Sequence, residues 1–122
     1  MFKVVDEITV EASHAIPLPS GELETPHSHR WRLRVELSCA YLNPQGMAVD
    51  MDIVRAWLQE LVGGWDGSHL NDLPPFQTVP ATAERVAEYV GRGLQSRLVE
   101  DRAWVSRVEC WMTDTGVAIW EP

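Results

Sequence analysis

Three of the four histidines in the chain have a spacing that suits a metal ion. His27 and His29 are separated by one residue, and in a β-strand such residues point to the same face. His14 continues the alternating apolar pattern of the segment before it, which predicts that it faces the core side of a neighbouring strand. Three neutral imidazoles suit tetrahedral Zn²⁺, with water or substrate in the fourth position. A site with an open position is typical of a catalytic metal.

The His-x-His pair alone also fits polar residues of a loop. His14, which has the matching parity, is the residue that favours a metal site. The spacing of the three histidines gives no further evidence for metal binding. Imidazole also accepts iron, nickel and copper, so the residues do not select the metal.

Two predicted strands have to position these histidines. The segment from Phe2 to Ile16 alternates apolar and polar residues, and the segment from His27 to Leu42 does so more clearly. A loop from Pro17 to Pro26 joins them. If the two strands pair as a hairpin, the three imidazoles meet at the loop end of one sheet face.

The rest of the chain predicts an α+β domain, an antiparallel sheet with two helices on one face. We expect residues 1–122 to form this single domain. The expected elements are a short strand over Met47–Asp50, a helix capped by Asp52 and running to about Val62, a loop from Trp65 to Pro80, a helix capped by Thr82, a strand from about Trp104 to Thr113, and a hairpin at Gly116 leading into Val117–Trp120.

Composition excludes several functional classes. Eighteen acidic residues against ten basic ones give a formal charge of −8, which argues against binding to a phosphate backbone. No apolar run is long enough to cross a membrane, and no signal peptide is evident, so the expected location is the cytoplasm. Cys39 and Cys110 are expected to be reduced core residues.

Several short motifs together resemble the 6-pyruvoyltetrahydropterin synthase and 6-carboxytetrahydropterin synthase family. They keep the family's order and spacing over nearly the whole chain. The motifs are Ala12-Ser13-His14, His27-Ser28-His29, Gly46-Met47-Ala48-Val49-Asp50, Trp65-Asp66-Gly67-Ser68-His69-Leu70-Asn71-Asp72, Pro80-Ala81-Thr82-Ala83-Glu84 and Met112-Thr113-Asp114.

The resemblance implies the tunnelling fold, a four-stranded antiparallel sheet with two helices. It implies homo-oligomers, trimers that stack into hexamers around a barrel, with an active site between subunits and a small-molecule substrate. It also implies a zinc ion held by His14, His27 and His29. The helix start at Thr82 and Glu84, together with Met112 and Asp114, falls where the resemblance implies substrate contacts.

Three functional positions depart from the family pattern. The catalytic cysteine is missing, because Gly21, Glu22 and Leu23 occupy the corresponding places. The aspartate of the family's Asp-His pair is present as Asp66, but Gly67 replaces the histidine. Met112 replaces the glutamate that anchors the pterin, and methionine cannot accept the paired hydrogen bonds that a carboxylate accepts. Ordinary pterin synthase activity is therefore not expected.

Other residues are candidates to replace the lost groups. Glu22 and Glu24 flank the place of the cysteine, where some family members use glutamate, although a solvated acidic loop explains them equally well. His69 beside Asp66 would restore an acid–base pair, or it is simply a histidine of a surface loop. Asp114 is a weaker candidate for the anchoring acid, because aspartate is common in turns.

The sequence favours a divergent zinc-dependent lyase or cyclase acting on a small polar substrate other than a standard pterin, in a specialised biosynthetic pathway. The first alternative is a pterin-processing enzyme that forms 6-carboxytetrahydropterin or 6-hydroxymethyl-dihydropterin with Glu22 or Glu24 in place of cysteine. The second is a non-catalytic zinc-binding oligomer.

Overall fold

The computed structural model describes residues 1–100 and 102–122. In these residues, five strands and two α-helices follow one another in the chain, with short 3₁₀ turns between α1 and α2. The elements are β1 (Phe2–His14), β2 (His27–Cys39), α1 (Met51–Val62), β3 (Ser68–His69), α2 (Ala83–Arg97), β4 (Ala103–Trp111) and β5 (Val117–Trp120).

The hairpin of β1 and β2 forms the centre of the sheet. The two strands pair antiparallel along their whole length, so that His14 lies opposite His27 and Ala12 opposite His29. Residues of one parity, such as Val10 and Trp31, are buried, whereas their neighbours are exposed. The predicted hairpin, and the shared face of its three histidines, are therefore confirmed.

The sheet has five strands in the order β3-β1-β2-β4-β5, and it is mixed rather than wholly antiparallel. The prediction of a four-stranded antiparallel sheet was wrong at one edge. The segment expected to be a loop contributes β3, in which Ser68 and His69 pair parallel with Ala12 and Ser13. A bond from the Gly67 amide to the Glu11 carbonyl aligns this segment with β1.

Two predictions of local structure need correction. No strand forms over Met47–Asp50, because the Asn43 side chain accepts hydrogen bonds from the amides of Gln45 and Met47 and closes the loop on itself. The N-cap of α1 is Asp50, not Asp52. The Asp50 carboxylate accepts a hydrogen bond from the Asp52 amide while its own backbone stays extended.

Both helices pack their apolar stripes on the face of the sheet that carries the histidines. Leu58 of α1 and Val90 of α2 join Leu33 of β2 in one core cluster. The predicted Thr82 cap of α2 is confirmed by its hydrogen bond from the Arg85 amide. No helix among the described residues is long and apolar enough to span a membrane.

The two cysteines are free and buried in the core, as predicted. Burial, with a smaller contribution from the Glu84 carboxylate, raises the pKa of Cys110 to about 12. This thiol is therefore a poor nucleophile and cannot replace the cysteine that the family pattern lacks here.

Candidate metal centre

Three imidazoles converge where the β1–β2 hairpin begins its loop. One ring nitrogen from each of His14, His27 and His29 lies within 4.8 Å of the others. The His27 and His29 rings meet edge to face with centroids 4.6 Å apart, and His14 lies 4.6 Å from His27. Among the described residues this is the one group of histidines, cysteines and carboxylates compact enough to hold a metal ion.

Backbone carbonyls determine which nitrogen of two rings faces the centre. The Nδ1 atom of His14 lies 2.7 Å from the Ala81 carbonyl oxygen, and that of His27 lies 3.3 Å from the Thr25 carbonyl oxygen. A carbonyl only accepts, so each Nδ1 must donate its proton. In the neutral rings, Nε2 then carries the lone pair and is free to act as a ligand.

These two Nε2 atoms are only 3.0 Å apart. Two lone pairs at this distance repel each other unless a proton or a metal cation lies near both. Nitrogens bound tetrahedrally to zinc are about 3.3 Å apart, given Zn–N bonds of about 2.0–2.1 Å. A third imidazole completes a donor set typical of zinc, so the residues present fit the ion.

The His14 side of the centre is rigid. His14 is 1% exposed, and the Trp31 ring packs edge-on against it with centroids 4.9 Å apart. The Asn71 side chain accepts a hydrogen bond from the Ala15 amide and donates one to the Ala15 carbonyl, which fixes the chain next to the ligand. His27 is the exposed one of the three, with 40% of its side chain accessible.

Burial also affects protonation of the cluster. It lowers the pKa of His14 below its ordinary value, against a smaller opposing effect of the hydrogen bond to Ala81. Burial lowers the pKa of His29 as well, and the neighbouring imidazoles add to this shift. Both rings are therefore held in the neutral form that a metal requires.

The two loop glutamates differ in position. Glu24 is half-buried beside the cluster, with Oε1 3.4 Å from Nδ1 of His27. Glu22 is exposed, and its amide bonds to the Ser20 hydroxyl. The structure thus brings Glu24, and not Glu22, to the histidines.

Asp66 and His69 lie near the same end of β1 but bond to different partners. The Asp66 carboxylate accepts a hydrogen bond from the Glu11 amide, whereas Nδ1 of His69 lies 2.8 Å from the Ser13 hydroxyl. Gly67, which replaces the family's histidine, has a φ of +77°, a backbone conformation that favours glycine. The expected Asp66–His69 hydrogen bond is not among the contacts of the described residues.

The four residues expected to contact substrate are divided between two places. Thr82 and Glu84 begin α2, directly after the Ala81 carbonyl that holds His14. Met112 and Asp114 line a groove of about 590 Å³ on the polar face of the sheet, together with Arg30 and other residues. The three histidines do not line this groove.

Sequence reasoning missed the groups that orient the rings. The carbonyls of Ala81 and Thr25 leave no trace in a sequence, since every residue has a carbonyl. Ser13 and Asn71 belong to two of the family motifs described above. Their hydrogen bonds depend on the pairing of β3 with β1, which was not predicted.

We expect the metal-free protein to lose stability as pH falls below about 6.5, the ordinary value of a histidine pKa. The folded pKa of His14 is lower than the unfolded one, so the unfolded chain binds the proton first and is favoured on acidification. Melting temperatures of chelator-treated protein between pH 7.5 and 5.5 measure how steeply stability depends on pH. This dependence should be weaker in His14→Gln. An unchanged dependence in that variant would show that His14 is not its source.

Comparison with known proteins places the fold. The profile of the family described as 6-pyruvoyl tetrahydropterin synthase matches residues 3–122. The structure of Caenorhabditis elegans 6-pyruvoyl tetrahydropterin synthase aligns with a TM-score of 0.82 at 18% identity, over 99% of this chain and 95% of that chain. A search of curated protein sequences finds no significant match.

Two further solved structures have the same fold. An uncharacterized protein of Wolinella succinogenes aligns with a TM-score of 0.78 at 16% identity, over 98% of this chain and 97% of that chain. A Plasmodium vivax 6-pyruvoyltetrahydropterin synthase, with alanine replacing a glutamate described as a catalytic residue, aligns with a TM-score of 0.77 at 13% identity, over 99% and 97%. Because the family profile covers nearly all of it, this chain belongs to the 6-pyruvoyl tetrahydropterin synthase family.

Proposed function

We propose that this protein is a divergent zinc-dependent lyase or cyclase that works in the cytoplasm on a small polar substrate other than a standard pterin. The observation that carries the proposal is the distance of 3.0 Å between the Nε2 atoms of His14 and His27, next to a third imidazole. His14, His27 and His29 would hold zinc, which would supply a Lewis acid for a carbonyl or hydroxyl group of the substrate.

The proton transfer is assigned to residues at the same end of the sheet. His69, with Nδ1 engaged by Ser13, has Nε2 left to accept or donate a proton at the carbon next to the polarised group. Asp66 holds the backbone of Glu11 and so fixes the segment that carries His69. We assign Thr82 and Glu84 to binding of the substrate beside the histidines of the same chain. Met112 and Asp114 line a groove apart from those histidines, so we assign them to a substrate held across an interface between two copies of the chain.

The absence of a glutamate at the Met112 position supports a substrate without a pterin's paired N–H donors. Methionine offers no strong acceptor for such an edge. Asp114 is an exposed carboxylate in the same groove and can accept hydrogen bonds from a differently shaped substrate.

One alternative has a specific observation in its favour. A catalytic glutamate is described for the Plasmodium vivax relative, and Glu24 lies beside the histidines here. In this alternative Glu24, rather than Glu22, replaces the missing cysteine as the base of a pterin-processing enzyme that forms 6-carboxytetrahydropterin or 6-hydroxymethyl-dihydropterin. A non-catalytic zinc-binding oligomer is the third candidate, and it predicts no turnover of pterins or other small heterocycles.

Two open sheet edges support a homo-oligomer, a trimer or a hexamer. Among the described residues, β3 covers only Ala12 and Ser13 of β1, and β5 has no strand beyond it. The Glu11 amide and carbonyl both bond away from β2, so the other odd-numbered residues of β1 also direct theirs outward. Copies joined edge to edge in a closed ring would pair these free groups.

We expect His27→Ala to remove the metal and His69→Ala to retain it. His27 is exposed, so its loss removes a ligand without opening the core, whereas His69 bonds to Ser13 outside the cluster. Elemental analysis of purified protein should give about one zinc per chain in the wild type and in His69→Ala. A wild type that takes up no metal after incubation with zinc would overturn the proposal.

We expect Val5→Pro to shift the protein from the oligomer towards the monomer. The substitution removes an amide on the open edge of β1, while the hydrogen bonds between β1 and β2 remain. Val4→Pro is the control, because its amide faces β2 and its loss should unfold the hairpin. Light scattering coupled to size exclusion gives the masses, and a folded Val5→Pro with the mass of an oligomeric wild type would contradict this mode of assembly.

A further inference from the structure

Glu24 joins the end of β1 to the first histidine of β2. Its Oε1 atom accepts a hydrogen bond from the Ile16 amide at 3.2 Å and lies 3.4 Å from Nδ1 of His27. Both contacts are made by the same carboxylate oxygen. This oxygen therefore lies between the His27 ring and the backbone just beyond His14.

The backbone holds this carboxylate in place. The Glu24 amide donates a hydrogen bond to the Ile16 carbonyl at 3.0 Å, so residues 16 and 24 are joined by main chain and by side chain. The Glu24 side chain is 25% exposed, whereas Glu22, two residues earlier, is an exposed residue of the outer loop.

His27 needs such support more than the other two histidines. His14 is held by burial and by a short bond to Ala81, whereas the His27 side chain is 40% exposed. The bond from its Nδ1 to the Thr25 carbonyl is long, at 3.3 Å. A carboxylate next to the outer nitrogen of a ligating histidine orients the ring and increases its basicity.

The charge of Glu24 lies close to the cluster. Its Oε1 atom is 3.4 Å from Nδ1 of His27, and Nε2 of the same ring faces His14. A negative charge at this distance favours a divalent cation between the imidazoles.

We propose that Glu24 is a positioning residue of the metal centre, which holds His27 with Nε2 towards the other two imidazoles and offsets part of the charge of the ion. This inference rests on the proposed metal site. The second carboxylate oxygen of Glu24 makes no hydrogen bond among the described residues and is available to contact a substrate.

Zinc affinity tests the inference without any knowledge of the substrate. The dissociation constant is measured by competition with a chromophoric chelator for the wild type and for Glu24→Ala, Glu24→Gln, Glu22→Ala and Glu22→Gln. Glu24→Ala should weaken zinc binding about 10–100-fold, the range for loss of an outer-shell partner. Glu24→Gln should fall between, because its amide oxygen still accepts from Ile16 but carries no charge.

The Glu22 variants are the matched controls, and they should bind zinc as the wild type does. The visible spectrum of the Co²⁺-loaded protein adds a second readout, which should change in Glu24→Ala and not in Glu22→Ala. Melting curves of the metal-free variants show whether each one folds, and Glu24→Gln keeps the test decisive if Glu24→Ala does not.

The outcomes separate this inference from the metal site itself. A wild type that binds zinc with the same affinity as both Glu24 variants, with unchanged Co²⁺ spectra, overturns the role of Glu24 and leaves the metal site intact. A wild type that binds neither ion overturns the metal site, and the role of Glu24 with it.

Discussion

The register of the β1–β2 hairpin is the constraint on which the candidate site depends. His14 lies opposite His27, and Ala12 lies opposite His29, in a ladder that runs without a break from Phe2 to His14. A slip of one residue would turn all the core residues of a strand to the other face, along with its histidines. The buried apolar residues of the hairpin therefore fix the candidate metal ligands together with the core.

The hydrogen bonds around the imidazoles connect that hairpin to the rest of the fold. The Ala81 carbonyl precedes α2, the Thr25 carbonyl belongs to the loop, and Asn71 follows β3. The two carbonyls each contact one imidazole, and the Asn71 side chain makes two hydrogen bonds to the backbone of Ala15, next to His14. The start of α2, the loop and the edge of the sheet therefore all help to fix the orientation of the imidazole rings, which a metal site requires.

The sequence predicts the part of the site that follows from strand alternation. Matching parity was enough to bring His14, His27 and His29 to one face, because the period of two is imposed by the backbone. It could not predict β3, a two-residue strand held by contacts from Gly67 and Ser13, or the choice of Asp50 over Asp52 as the helix cap. These features depend on pairings distant in sequence or on details of backbone direction.

The same limit explains why the replaced family residues are harder to interpret. Gly67 takes a left-handed conformation, which glycine adopts readily and in which a histidine would be strained. Glu24 was one of two equal candidates in the sequence, and only the folded loop distinguishes it from Glu22 by bringing it to His27. The loop ends therefore determine which side chains lie next to the three imidazoles.

The most direct test of the account is X-ray absorption at the zinc edge on the zinc-loaded protein. Coordination by His14, His27 and His29 predicts a first shell of nitrogen and oxygen only, with the outer scattering of three imidazole rings. Sulfur in the first shell, which would require one of the buried cysteines, or scattering from fewer than three imidazoles would contradict it.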